Sequence, residues 1–399
     1  MKIVVSIFAV CLSIVCSGQR TAAYDTITPL AAYNFILGTN TIGGKYSFSK
    51  DSKLVEQAKQ VRVMGSNILK ITLGPNSPKT YGLIAEKSST TLDLFLSNPD
   101  YQKVFDMDFR YIFSWVHTNT GIDWKNGIDQ SQEKILYDEM FSFASYLLKR
   151  YNNSNKTFFI GNWEGDWMLL PNYNRNMSPS KEHIANMAKW FRIRQQAIND
   201  AKKMSDSKNV QLFYYVEVNL VLKGMKGEPC IASGILPDVD VDMVSYSSYE
   251  AIKNKSFEEK KATLKSVFEY LEKQMKPRNN FPFSRRVFIG EYGYQANASD
   301  STSFIRQTNE TKDIMRIALE LNLPFALHWQ MYNNEYESGG ASKQMSLINE
   351  EGKKMPLYFL HQHFYESMNN YLLRYRKENN VFPPDSLFRK KALETLSGL

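Results

Sequence analysis

From Phe35 onward, short runs of β-branched and aromatic residues alternate with longer stretches whose apolar positions recur every three or four residues. That alternation is the sequence form of repeated strand–helix units feeding a parallel sheet. Eight runs read as strands, at 35–37, 67–73, 111–115, 157–161, 211–216, 242–246, 286–290 and 324–329. The stretches between them carry a single buried stripe. Leu136, Met140, Phe143, Ala144, Leu147 and Leu148 form one, and Leu264, Val267, Phe268, Leu271 and Met275 form another. A first helix over 52–64 stops at Gly65, and a last one over 357–377 follows Pro356, both ordinary helix punctuation.

Eight strand–helix pairs point to an α/β chain closed as a single (β/α)8 TIM barrel. An open doubly wound sheet would announce itself with a glycine-rich first turn, and Gly43-Gly44 reads as a plain loop. The barrel is expected to occupy 24–378. The segment 75–108 is longer than a tight connection, carries its own helical pattern over 91–105, and is expected to shape the rim of a pocket. Residues 379–399 form a short basic amphipathic tail, either a packed end helix or a loose extension.

Composition adds a compartment to this picture. Residues 1–18 begin with Met1-Lys2, continue through a short apolar core and end on Cys16-Ser17-Gly18, which reads as a cleaved export signal and so implies a secreted, extracellular chain without stable membrane insertion. Two of the three cysteines, Cys11 and Cys16, leave with that segment, so Cys230 has no partner for a disulfide and the fold must rest on core burial. Sequons at Asn152, Asn155, Asn176, Asn254, Asn297 and Asn309 fit a secretory route, although a chain rich in Asn, Ser and Thr produces several by chance. The net charge of +8 is spread over helix faces with no nucleic-acid motif beside it, which leaves room for an acidic polysaccharide but not for a DNA or RNA site.

Candidate chemistry sits where barrel strands end, because that is where (β/α)8 enzymes carry it. Strand four runs into Asn162-Trp163-Glu164-Gly165-Asp166 and strand seven runs into Glu291-Tyr292, so two carboxylates lie at the mouth on opposite sides. One carboxylic acid can protonate a leaving glycosidic oxygen while the other attacks the anomeric carbon. Trp115, Trp163, Trp167 and Trp329 fall at strand ends and offer rings on which sugar faces stack, though any one of them alone would as readily be packing. Trp190 lies within a helical stripe and reads as core. His117 and His328 lie near strands three and eight, within reach of a substrate hydroxyl. His361 and His363 diverge around a helix, and His183 is isolated, which argues against a metal site.

With those residues in place, the sequence resembles the clan of retaining barrel glycosidases that includes cellulases, mannanases and β-glucuronidases, over about 35–375. The resemblance implies Glu164 as acid/base, Glu291 as nucleophile, Trp329 as a floor for the sugar, and Tyr246, or else Tyr249, as a hydrogen-bond donor to the nucleophile. It also bears on Asn162 and Lys70 in substrate binding, where the strand-end residues Trp163, Trp115 and His117 are expected to join them, and it implies an oligo- or polysaccharide as substrate and no cofactor. Two positions depart from the clan pattern. Trp163 separates Asn162 from Glu164, which leaves Asp166 open as an alternative acid, and Lys70 stands where the clan often has an arginine. A barrel that binds a glycan or a protein partner without turning it over is the rival expectation.

Overall fold

A computed structural model describes residues 28–84 and 88–399; the expected export signal lies outside the described residues. Eight parallel strands close into one barrel in strict chain order: β1 (Leu37–Asn40), β2 (Ile68–Leu73), β3 (Tyr111–Val116), β4 (Thr157–Gly161), β5 (Gln211–Val218), β6 (Met243–Ser247), β7 (Val287–Tyr292) and β8 (Ala326–His328). Closure is made by β1 on β8, with Leu37 opposite Ala326 and Thr39 opposite His328.

Helices return the chain between strands: α1 (Lys53–Met64), α2 (Pro99–Asp106), α3 (Gln130–Arg150), α4 (Lys181–Met204), α5 (Ile231–Gly234), α6 (Phe257–Gln274), α7 (Ser301–Glu320) and α8 (Pro356–Asn379). Their ends follow local chemistry. The Ser52 hydroxyl accepts the Val55 amide to open α1, and Gly65 closes it with φ of 107°, a left-handed conformation that costs glycine little. Asp129 with Gln132 and Ser256 with Glu259 form reciprocal caps on α3 and α6.

Side chains alternate across each strand, so every strand feeds two cores. Outward residues such as Phe158, Ile160, Tyr214, Val216, Val287 and Ile289 meet the helices in the large outer core. Inward residues fill the barrel with aromatic rings, among them Phe113, Phe159, Phe213, Tyr215, Phe288 and Phe325. Phe113 and Phe159 stack with centroids 4.1 Å apart. This plug seals the lower barrel and leaves the mouth as the one end where polar inward positions gather.

The segment 75–108 does not shape the pocket rim, contrary to expectation. Its helical pattern is broken at Asn98-Pro99 into Thr91–Ser97 and α2, because proline cannot continue a helix, and Phe95, Tyr101 and Phe105 bury themselves against the outer core. The basic C-terminal segment is a packed helix, α9 (Asp385–Gly398). Phe388, Ala392 and Leu396 are fully buried, and Phe388 sits 4.8 Å from the Tyr33 ring. No helix among the described residues is long and apolar enough to cross a membrane.

Candidate active site

Strand alternation decides which residues reach the mouth. On β2 the inward set is Ile68, Lys70 and Thr72, and on β5 it is Phe213, Tyr215 and Glu217, which places an ammonium and a carboxylate in the layer just above the aromatic plug. Both are fully buried. Lys70 Nζ lies 2.6 Å from Glu217 Oε2, and Ser245 Oγ donates to the same oxygen at 2.8 Å. Gly290 is the residue that makes room, since a Cβ there would stand 1.7 Å from Ser245 Oγ and 2.8 Å from Glu217 Oε2.

Glu291 should face outward if β7 kept perfect alternation, because Gly290 before it faces in. Instead the pairing slips on both sides of that point: Tyr246 pairs with Ile289 but Ser247 with Glu291, and Ile289 pairs with Ala326 but Tyr292 with His328. This bulge turns Glu291 into the mouth beside Gly290 and lets Tyr292 resume the outer core. The Glu291 carboxylate lies 3.6 Å from Lys70 Nζ and accepts the Tyr249 hydroxyl at 3.3 Å. Ser248 holds its backbone carbonyl through both the amide and the hydroxyl, each at 2.9 Å.

Glu164 follows β4 and starts the short helix Gly165–Leu169. Its amide donates to Glu217 Oε1 at 3.3 Å, so the buried carboxylate positions the residue through its backbone. Glu164 and Glu291 line one cavity of about 1350 Å³, together with Trp163, Trp167, Asn219, Ser247, Tyr249 and Trp329.

The electrostatics separate the two glutamates. Burial pushes Glu164 up to about 8, with the Glu217 charge adding to the rise and the Ser247 hydroxyl and Lys70 opposing it. Burial also raises Glu291, against the pull of Lys70, and Glu164 and Glu217 raise it further. Burial of both carboxyls favours retention of a proton in the cavity. Lys70 and the Tyr249 hydroxyl favour charge on Glu291, while burial and the Glu217 charge favour the protonated form of Glu164. The arrangement places two carboxyl groups and three indole rings on the wall of one cleft.

Of the sequence-derived candidates, Glu164, Glu291, Trp163 and Trp329 meet on the cavity wall, and Trp167 joins them. Lys70 lies beneath them, 4.2 Å from the Trp115 ring, and binds carboxylates rather than the cavity. Trp115 is itself buried in the barrel interior, 6.0 Å from Trp329. Tyr246 is displaced from its expected role. It points outward, packs edge-on against Phe268 of α6 and donates to Glu250, and Tyr249 on the following turn supplies the hydroxyl to Glu291. Asn162 also faces away from the cavity, its side chain tied to the carbonyls of Trp163 and Glu217 and to the Glu217 amide. His117 is set against Gly74 and outside the cavity wall. Burial and the Arg194 charge hold its imidazole down at about 4. His328 is buried on the outer face against His361. Asp166, the alternative acid, is committed elsewhere: its carboxylate accepts the amides of Asn219, Leu220 and Ile231 at 2.8, 3.0 and 2.7 Å. Cys230 is a buried free thiol, pushed up to about 11 by burial.

Glu217, Ser245 and Asn219 went unrecognised in the sequence. The reading ended β5 at residue 216, one short of Glu217. The period-two pattern Phe213, Tyr215, Glu217 carried the missing signal. Among the described residues no group of His, Cys, Asp and Glu could hold a metal ion.

No family model and no curated protein matches the sequence. Solved structures do match. A GH5_18 enzyme from Bifidobacterium longum subsp. longum, in complex with Manb1-4GlcNAc, superposes with a TM-score of 0.54 at 12% identity, over 83% of this chain and 77% of that one. The (β/α)8 barrel is similar in fold to those of clan GH-A glycoside hydrolases. A GH5_18 enzyme from Streptomyces cattleya, in complex with the same sugar, gives a TM-score of 0.53 at 10% identity over 90% and 87% of the two chains. Bacteroides uniformis β-glucuronidase gives 0.52 at 10% identity, over 84% of this chain but 35% of that longer one. At such identities the likeness is one of fold.

Proposed function

We propose that this chain hydrolyses O-glycosidic bonds with net retention, with Glu291 as nucleophile and Glu164 as acid/base. The observation that carries this reading is that the two strand-end glutamates share one cavity, with Lys70 and the Tyr249 hydroxyl set against the Glu291 carboxylate and burial pushing Glu164 up to about 8. In the first step Glu164 protonates the departing oxygen while Glu291 attacks the anomeric carbon. Forming the glycosyl ester removes the Glu291 charge, which lowers the affinity of Glu164 for a proton and prepares it as the base that activates water. Lys70 and Tyr249 hold the Glu291 carboxylate in its ionised, correctly turned state before attack. Trp329 and Trp163 provide faces for the sugar, and Trp167 extends that wall outward. No cofactor enters this chemistry.

The test is turnover on a panel of aryl glycosides and oligosaccharides, with proton NMR of the first anomer released. Retained configuration that disappears in Glu291→Gln supports the assignment. In Glu164→Ala, cleavage of a poor leaving group should fall far more than cleavage of a good one, because only the former needs the acid. Glycan affinity without turnover in the native chain would leave a binding barrel instead. The apolar start of the chain further argues for secretion, checked by whether the exported chain begins at Gln19.

A further inference from the structure

The cavity wall carries six cationic residues, Arg175, Lys223, Lys226, Lys253, Arg306 and Lys343. Outside the Glu164 and Glu291 pair it carries four acidic ones, Glu228, Glu250, Glu310 and Glu335. Each of the four acids already has a cation: Glu228 has Lys223, Glu250 has Arg175, Glu335 has Lys343, and Glu310 has Lys260 from α6. Three cations are left over. Lys226, Lys253 and Arg306 make no side-chain hydrogen bond or ion pair among the described residues. Asp300, which feels the Arg306 charge, is engaged by the Thr302 hydroxyl and amide, and Glu310, one turn further along α7, is engaged by Lys260.

Their placement is as informative as their number. Lys226 follows β5, Lys253 follows β6 and Arg306 lies on α7 after β7, so they come from three successive loops and gather on the side of the mouth from which Glu291 emerges. The three leave surplus positive charge on the wall of the cavity, and the low-dielectric surroundings focus its field on whatever enters. A neutral sugar chain offers nothing to balance that charge. Lys70 at the floor cannot be the attraction, since it is committed to Glu217 and Glu291.

Resting on the glycosidase reading of this site, we propose that its substrate is an anionic glycan whose carboxylate or sulfate groups seat against Lys226, Lys253 and Arg306. The aromatic and carboxylate groups deeper in the cavity then handle the ring and the bond to be broken, while the rim cations select chains that carry negative charge. Because the three are exposed, their contribution is long-range and screened by salt.

The experiment measures binding by calorimetry to Glu291→Gln, which cannot consume its ligand. Size-matched oligosaccharides are compared: unsulfated chondroitin for carboxylate alone, dextran sulfate for sulfate alone, and laminarin for neither. The expected result is about tenfold tighter binding of at least one charged series, lost between about 50 and about 300 mM salt. The same preference should vanish in Lys226→Ala/Lys253→Ala/Arg306→Ala on that background, with circular dichroism and melting midpoint as controls for folding. Equal affinity for laminarin, or a charge preference that survives the triple substitution, overturns the proposal. Native-chain turnover separates the two layers. Charged glycan bound but never cleaved removes the hydrolase reading and keeps the anionic site, whereas cleavage confined to neutral glycan keeps the hydrolase and removes the anionic site.

Discussion

Lys70 Nζ stands 2.6 Å from Glu217 and 3.6 Å from Glu291, so a single buried ammonium serves two carboxylates at different depths of the barrel. The shorter contact is structural in character: both partners are fully buried and Ser245 completes the carboxylate's hydrogen bonding. The longer one faces the cavity and biases Glu291 toward its charged form. The same lysine therefore ties stability to chemistry.

Lys70→Met should remove the compensation for both carboxylates and lower the unfolding free energy by about 3 kcal/mol or more, because a buried charge is left unpaired. Lys70→Met combined with Glu217→Leu should recover much of that loss, since the pair is replaced rather than broken. Urea unfolding of the two singles and the double measures the coupling. Independent, additive effects would mean that the pair does not act as a unit.

Glu217→Gln should act on the proton at Glu164. Glu217 is the charged neighbour that raises Glu164 most, so its removal should shift the basic limb of the kcat/KM profile downward by about one pH unit. A purely structural role would lower the whole profile without moving its limb.

Tyr249→Phe and Tyr246→Phe make a matched pair. Loss of the Tyr249 hydroxyl deprives Glu291 of its hydrogen-bond donor and should reduce kcat/KM by about tenfold, the size expected for one hydrogen bond to a charged group. Tyr246 is buried against α6 and reaches the cavity wall only through Glu250, away from Glu164 and Glu291, so its hydroxyl should matter little to turnover. Equal effects would show that the site is reached through packing instead.

Glu164 gives two pH signatures. Activity should fall as pH rises through about 8, where the acid loses its proton. Stability should fall across a lower window as well. Between the ordinary value of 4.5 and about 8 the folded chain keeps a proton that the unfolded chain releases, so rising pH favours unfolding until both states are ionised. Glu164→Gln should flatten that slope, leaving the part due to the raised Glu291, and melt higher than the native chain at pH about 9, which a pair of melting curves against pH would test.

Phe388→Ala should destabilise the fold by about 3 kcal/mol or more, because a fully buried ring between α9 and the barrel base leaves a cavity that cannot collapse. A loosely attached tail would tolerate the change, so an unaltered chemical-denaturation midpoint would refute the packing of α9.

Much of the architecture is local information and was legible in the chain. Hydrophobic period marked eight strands in order, with β4 bounded to the residue but β1 read at 35–37 where it runs Leu37–Asn40, and Ser52 and Gly65 fenced α1 because caps depend only on nearby backbone groups. The glutamate after β4, the one near the end of β7 and the tryptophan after β8 could be named because barrel topology sends strand ends to one mouth. What the sequence left open depends on which way a side chain turns and on what lies across the barrel. Strand alternation put Tyr246 and Asn162 on the outer face, and a one-residue bulge, set by pairing with both neighbouring strands, brought Glu291 inward against that alternation. Lys70 and Glu217 are 147 residues apart and meet only because closure places β2 and β5 around one small interior. A period in the chain can tell which residues share a face, but the partner of a buried charge is chosen by contacts across space, and those exist only once the barrel has closed.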